Sequence, residues 1–549
     1  MNRYDIIIIG GGINGVGIAQ DASLRGFRTL LLEQDDICSG VSAWSGRLAH
    51  GGLRYLEHYD FALVRESLAE RERLFHNAPH LAKPISWLMP VFSHNKRPGW
   101  LVELGMFLFD LLSFDKTSPS HRPMSRKKVM SRFPSIMKDG LKAGFLYYDG
   151  QIELVERLCI EVALDARANG AEIKTHSRVE EPVIVQGRVA GVKYRSSESN
   201  ELEEALAPVI FNVAGPWIDR VFKEAANIPA QPRLNGGTKG SHLIVNRFPG
   251  APKDVIYYES KSDGRLILIV PWLDKYLIGT TDIRWEADPT TARCDIGELE
   301  YLLEGVNALI PTANLTREDV LYTYSGVRPL PYEPNKAESS VTRTHIVYDH
   351  KKDGLPGLFT VVGGKLTTFR QLAEDAVDIA AKQLGVRVSK SSTRLRLLPG
   401  AHFSIDTSLV TDLVALGAPR KTAERLAKIY GSRSKNIWEL VEMDKSFGEI
   451  VDDKTGLTKA EIIFVIDTEF PRTLTDIMAR RIVMAFEPGH GLAVLEKIAN
   501  IAASKLGWNK IQIREEITGY HEWLDYLAIP SVDGLRSTSF GAGAVTGVK

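Results

Sequence analysis

Apolar residues come in this chain as short solid runs separated by glycine turns and amphipathic stretches. The first run, Tyr4 to Ile9, is rich in Ile and shows no alternation, which predicts a strand buried on both faces of a parallel sheet. Gly10, Gly12 and Gly15 follow in G-x-G-x-x-G register, then a helical stretch with the small residues Ala19 and Ala22 toward the sheet and Gly26 at its C-terminal end. Phe27 to Leu32 predicts a second strand, ending at Glu33, eighteen positions after Gly15. That is close to the offset of about 20 residues at which a carboxylate accepts ribose hydroxyls. Strand, turn, helix and acid together predict a bound dinucleotide, and a carboxylate at this place disfavours a 2′-phosphate.

The runs recur. Phe145 to Asp149 predicts a strand and Glu153 to Asn169 an amphipathic helix, followed by a small meander to Tyr194. Val209 to Val213 and Leu358 to Val362 are again solid apolar strands, each delivering a turn: Ala214-Gly215-Pro216-Trp217 and Gly363-Gly364-Lys365. Glycines at such a junction expose N–H groups and the positive end of a helix dipole. Residues 234 to 350 alternate as antiparallel strands, with polar residues that a pure core does not need: Lys239, His242, Thr280, Thr281, Asp282, Arg284 and Arg328. From residue 400 to 528 the pattern is helical, and the Gly- and Ser-rich tail from Ser531 is expected to be disordered.

At 549 residues, two or three structural units are expected. Lys+Arg equals Asp+Glu, so charge gives no reason to expect nucleic acid as a partner. Three cysteines without C-x-x-C spacing suit a reducing compartment and neither a disulfide framework nor a zinc site. A first strand starting at Tyr4 leaves no room for a cleaved signal peptide. Trp100 to Phe114 is too short to span a bilayer and carries Glu103 and Asp110. Its Trp and Phe, with Arg122, Arg126, Lys127, Lys128 and Arg132 nearby, leave two readings open: a buried helix with a solvated basic face, or an interfacial helix on anionic lipid.

Clustered metal ligands and a G-x-S-x-G elbow are both missing from the sequence, so no metal site is expected. A nucleotide fold spread over the first 390 or so residues and interrupted by a β-rich insert carrying Arg and Lys suits a flavoprotein acting on an anion. His50 and Arg54, around Gly51 and Gly52, read equally well as a solvated surface turn or as two polar groups aimed into one site.

The GGGINGVG turn, HGGLRYLEHYDFALVRESLAERE, VAGPW, KGSHLIV, PWLDKYLIGTTD, TYSGVRPL, GGKLTTFRQLAEDA and EFPRTLTDIMARRIVMAF resemble, in order and over essentially the whole chain, the FAD-dependent glycerol-3-phosphate dehydrogenases. The resemblance implies an α/β fold: a doubly wound, Rossmann-like FAD-binding domain with an antiparallel β-rich substrate-binding insert and a C-terminal all-α domain. The expected divisions are an oxidoreductase domain over 1–395, a helical domain over 396–530 and the tail. Within the first, FAD-binding segments are expected at about 1–82, 145–233 and 351–395, and substrate-binding segments at about 83–144 and 234–350. It implies oxidation of sn-glycerol 3-phosphate to dihydroxyacetone phosphate, with hydride passing from C2 to FAD and electrons to a membrane quinone.

By motif matching, Arg54, Tyr55, His242, Arg328, Arg343, Lys365 and Thr367 are expected to bind substrate, with Arg54, Arg328 and Arg343 toward phosphate. Lys365 is assigned to the hydroxyl or flavin, and the base is His242 first, His50 second, or a water held by either. The cofactor is expected on Gly10, Gly12, Ile13, Asn14, Gly15 and Glu33; on Ser42, Ser45, Gly46, His50, Gly51 and Gly52; on Ala214, Gly215 and Trp217; and on Gly364, Lys365, Leu366 and Thr367. The loop SAWSGRLAHGG departs from the family's usual SSKLIHGG, which puts Trp44 and Ala49 beside the flavin as local substitutions. Relatives acting as oxidases often carry a longer insert in the β-rich half. None is seen here, which favours a dehydrogenase at the inner leaflet of the cytoplasmic membrane over an O2-using oxidase or a non-catalytic flavin-binding protein. A homodimer is left open.

Overall fold

In the computed structural model all residues are described except 1, 54, 55, 57–59, 197, 198, 224, 226, 227, 338, 339, 404–407 and 532–549. The nucleotide-type layer is a six-stranded sheet in the order Ile346–Asp349, Leu358–Val362, Val209–Asn212, Ile6–Ile9, Thr29–Leu32, Glu172–Lys174. All neighbours are parallel except the first pair. Successive side chains on a strand point to opposite faces, and the apolar runs fill both. Ile6, Ile8 and Leu31 pack into the large core that also holds the helices Ile13–Leu24, Val155–Ala168 and Phe369–Leu384. Ile7, Ile9, Leu30 and Leu32 face Val179, Val189, Val192 and Tyr194 of a second, four-stranded sheet.

The β-rich insert forms a ten-stranded sheet in which Thr238–Asn246 pairs with Lys275–Gly279 and with Val320–Arg328. Two strands shift the expected divisions. Leu141–Ile152 runs as one strand through position 145 and pairs along its length with Ala82–Phe92, so it belongs to the insert's sheet. Ile346–Asp349 already joins the nucleotide layer before residue 351. A twelve-residue strand whose ladder is unbroken from Ala143 to Ile152 does not break where the sequence pattern alone suggested a new unit.

Residues beyond 400 form helices, among them Arg420–Tyr430, Ser434–Met443, Lys459–Thr468, Leu495–Leu506 and Lys510–Leu524, with one small hairpin, Ile450–Asp452 against Leu457–Thr458, that the helical pattern did not suggest. Buried ion pairs tie this unit to the nucleotide layer. Arg157 forks onto Glu469 at 2.5 and 2.8 Å, and Arg481 and Arg480 both reach Asp36, in the loop after Glu33. Of the tail expected from Ser531, residues 532–549 lie outside the described residues.

Candidate active site

The glycine turn is forced by close approach. A Cβ on Gly15 would sit 1.9 Å from the Gly10 carbonyl oxygen, and one on Gly10, at φ +112°, would sit 2.7 Å from the carbonyl of Val213. Helix Ile13–Leu24 begins on Gly12 without a capping side chain, its Ile13 N–H donating to Ser42 Oγ at 3.1 Å, and Ile13 and Asn14 face the main cavity. Asn14 Oδ1 is buried without a partner among the described residues. Glu33 is buried at its strand end and accepts from the N–H groups of Gly11 (2.5 Å) and Asp35 (2.9 Å). Burial, with Asp35 adding, pushes its carboxyl up to about 7. The Gly15 and Gly10 contacts, the uncapped helix start, the orphaned Asn14 oxygen and the acid at the strand end fit the pyrophosphate and ribose of a dinucleotide. The Val213–Ala214 backbone closes this end against Gly10 and Gly215 follows at φ +58°, while the Trp217 ring covers Gly40 and its Nε1–H donates to Thr290 Oγ1 at 3.0 Å.

From there a cavity of about 960 Å³ runs between the loop of Ser42, Ser45 and Gly46, the turn at Gly52, the sheet residues His242 and Arg328, and the junction Gly363–Thr367. Its volume is at the upper end of the roughly 300–1,000 Å³ usual for ligand sites. His50, Arg343, Gly364, Lys365, Leu366 and Thr367 line it as expected residues. Arg54 and Tyr55 lie outside the described residues. Gly51 is not on the cavity wall. A Cβ there would meet Leu68 and Phe109 at 2.4 and 2.8 Å, so its close approach is to the core, and its N–H donates to Asp149. Ala49 is also corrected: Leu48 and His50 face the cavity, and alternation turns Ala49 into the core against Gly150. Trp44 does line the cavity, packed among Tyr324, Trp523 and Tyr526 at ring-centroid distances of 5.6, 6.0 and 6.4 Å.

Two imidazoles are held neutral. Burial, then the charges of Arg328 and Arg47, brings His242 down to about 3; burial, then Lys365 and Arg343, does the same to His50. His242 sits between Gly279 and Tyr324 in the sheet register, and its Nδ1 has no partner among the described residues. Lys365 donates to Ser67 Oγ at 2.9 Å; burial brings it down to about 7, with Glu66 opposing the fall and Arg343 adding to it. Thr367 Oγ1 lies 3.5 Å from the His50 carbonyl. The cavity thus combines guanidinium cations, two uncharged imidazoles and a lysine near its titration point.

Sequence reasoning left unassigned the Asp282 carboxylate, shared by both arginines, and the aromatic wall of Trp87, Tyr147 and Tyr257. Asp282 sits in the quoted GTTD run, but only its place beside Arg343 gives it a role, and the aromatic wall has no sequence signal.

Residues 5–370 match the family described as FAD dependent oxidoreductase, and residues 391–513 match the C-terminal domain of alpha-glycerophosphate oxidase. A glycerol-3-phosphate dehydrogenase of Synechocystis is 41% identical over 96% of this chain and 97% of its own length. A D-erythritol 1-phosphate dehydrogenase of Brucella abortus is 36% identical over 87% of this chain and 93% of its own. The solved glycerol-3-phosphate dehydrogenase of Bacillus halodurans, complexed with FAD, superposes with a TM-score of 0.78 at 26% identity, covering 96% of this chain and 95% of that one. The chain is an FAD-dependent oxidoreductase and belongs to the glycerol-3-phosphate dehydrogenase family.

Proposed function

We propose that this enzyme oxidises sn-glycerol 3-phosphate to dihydroxyacetone phosphate and passes the electrons to a membrane quinone. The observation that carries the reading is the meeting of Arg328, Arg343, Lys365 and two neutral imidazoles in the cavity that continues from the glycine turn. Bound FAD supplies a ring that accepts two electrons and the C2 hydrogen. Arg328 and Arg343, with Arg54 by motif, hold the phosphate; a planar guanidinium pairs well with phosphate oxygens. Lys365 faces the C2 oxygen and stabilises the negative charge that grows there. His242 accepts the hydroxyl proton, with His50 as the second choice. Burial is the main cause that lowers both imidazoles; a bound dianion offsets only the smaller part that comes from the nearby cations, Arg328 and Arg47 at His242 and Lys365 and Arg343 at His50. Thr367, which lines the cavity, and Tyr55, by motif alone, complete the substrate side.

The acceptor reading rests on helix Gly99–Leu112. Trp100 (68% exposed), Leu104, Phe107 (60%) and Leu111 lie along one face, Phe114 (77%) follows, and Val102, Met106 and Phe109 are buried on the other face. Arg122, Arg126, Lys127 and Lys128 are exposed nearby. Trp and Phe beside Lys and Arg match an anionic lipid interface, and no helix among the described residues is long and apolar enough to cross a membrane. On this reading the enzyme docks peripherally on an anionic membrane surface, taken to be the inner leaflet of the cytoplasmic membrane.

The relative acting on D-erythritol 1-phosphate supports a second substrate, a longer polyol phosphate. Turnover of both phosphates with a quinone analogue and with O2 tests the reading. Faster turnover of the glycerol ester with quinone, with little peroxide, is expected. Preference for the erythritol ester overturns the substrate, and stoichiometric peroxide in air overturns the acceptor.

A further inference from the structure

Asp282 is a carboxylate in a cavity built to hold an anion, and by charge alone it is out of place there. Its partners give it a reason. Oδ1 accepts from Arg328 Nη1 at 3.0 Å, and Oδ2 lies 3.7 Å from Arg343 Nη2. Arg328 ends the strand Val320–Arg328, whereas Arg343 precedes Ile346–Asp349 of the other sheet, so no common element aligns the two guanidinium groups. Arg328 is further fixed by Thr238 Oγ1 at 3.3 Å, Thr280 Oγ1 at 3.0 Å and the Thr281 carbonyl at 3.2 Å. Gly240 makes room for it: a Cβ there would sit 2.2 Å from Arg328 Nη2. Gly240, Thr280, Asp282, Arg328 and Arg343 all line the cavity.

Two guanidinium groups this close repel each other. A carboxylate in contact with both offsets that repulsion and holds the two cations together at the cavity wall. We infer that Asp282 is a positioning residue that sets Arg328 and Arg343 as a two-pronged clamp for the phosphate, and through it sets where C2 lies against the base and the flavin. The inference rests on the proposed phosphate-ester substrate. It has a consequence that plain anion attraction lacks. The trio carries one net positive charge with Asp282 and two without it, so removing the carboxylate favours anion binding while it loosens the anion's placement. Asparagine keeps one acceptor oxygen but turns a donor toward the second guanidinium.

The test compares FAD-loaded wild type, Asp282→Asn and Asp282→Glu for kcat and KM with sn-glycerol 3-phosphate and for inhibition by inorganic phosphate. For Asp282→Asn, kcat is expected to fall roughly tenfold or more, because small misplacement of a reacting atom is costly. Inhibition by phosphate is expected to stay within about threefold of wild type or to tighten, since binding and placement are separate terms. Asp282→Glu, which keeps the charge, recovers most of kcat. The inference is overturned if Asp282→Asn keeps kcat within about twofold, if phosphate inhibition weakens in parallel with kcat, or if both variants fall alike. Wild type that does not turn over the substrate overturns the substrate reading, and this inference with it; wild-type turnover with any of the contrary results overturns this inference alone.

Discussion

On the proposed reading Lys365, His242 and His50 carry the chemistry, and burial lowers the basicity of all three. Lys365, lowered by burial to about 7, is a cation below that pH and neutral above it. Affinity for the phosphate substrate is therefore expected to weaken as pH rises through 7, and a Lys365→Arg enzyme, always charged, is expected to lose that dependence; a KM–pH series checks it. His242→Asn removes the first-choice base, so kcat is expected to fall by roughly 10²–10⁴-fold, and an unchanged pH–rate profile would reassign the role to His50. Most of these residues were legible in sequence, because glycines, histidines and arginines stand in dense motifs. Asp282 was legible only as a polar residue within strands, since its meaning depends on Arg343 arriving from another sheet. Ala49 misled for a local reason: a motif says which residues occur together, whereas strand alternation decides which of them face the cavity; at Gly51 the close approach is to Leu68 and Phe109 instead.

Among the elements, the opening strand, turn and helix were readable to within about two residues, since Gly10 and Gly15 each answer a backbone contact. Gly15→Ala is expected to abolish FAD retention, as the added carbon would sit 1.9 Å from the Gly10 oxygen; flavin absorbance per protein after gel filtration measures it. Helix Gly99–Leu112 was readable as a helix but not as exposed or buried, because its apolar residues cover most of its circumference and only packing selects a face. Trp100→Glu/Phe107→Glu is expected to abolish co-sedimentation with anionic liposomes while soluble turnover persists. Unchanged sedimentation would remove the helix from the lipid surface. The ends of Leu141–Ile152 were not readable, because its ladder partner lies some sixty residues earlier in the chain.

Across the whole molecule, the C-terminal unit was legible as a separate helical stretch, but its attachment was not. Glu469 shows why, since its partners Arg157 and Arg433 come from both units. Burial alone would raise its carboxyl, yet Arg157 and Arg433 hold it down to about 2. A lowered carboxyl stabilises the fold above its unfolded value, and that contribution is lost as pH falls toward 2. Glu469→Gln leaves buried guanidinium charge uncompensated and is expected to cost about 3–5 kcal/mol, read from denaturant unfolding; a loss under about 1 kcal/mol would mean that the interface is held by apolar packing instead. The Trp44 stack with Trp523 and Tyr526 joins the same unit to the cavity wall.

The measurement that tests the central claim most directly is an anaerobic titration of the FAD-loaded enzyme with sn-glycerol 3-phosphate, following the flavin's visible absorption. Bleaching that goes to completion, and that a quinone analogue reverses rapidly, is the predicted result. A bound flavin left unbleached by saturating substrate would contradict the assignment of the cavity to this phosphate ester.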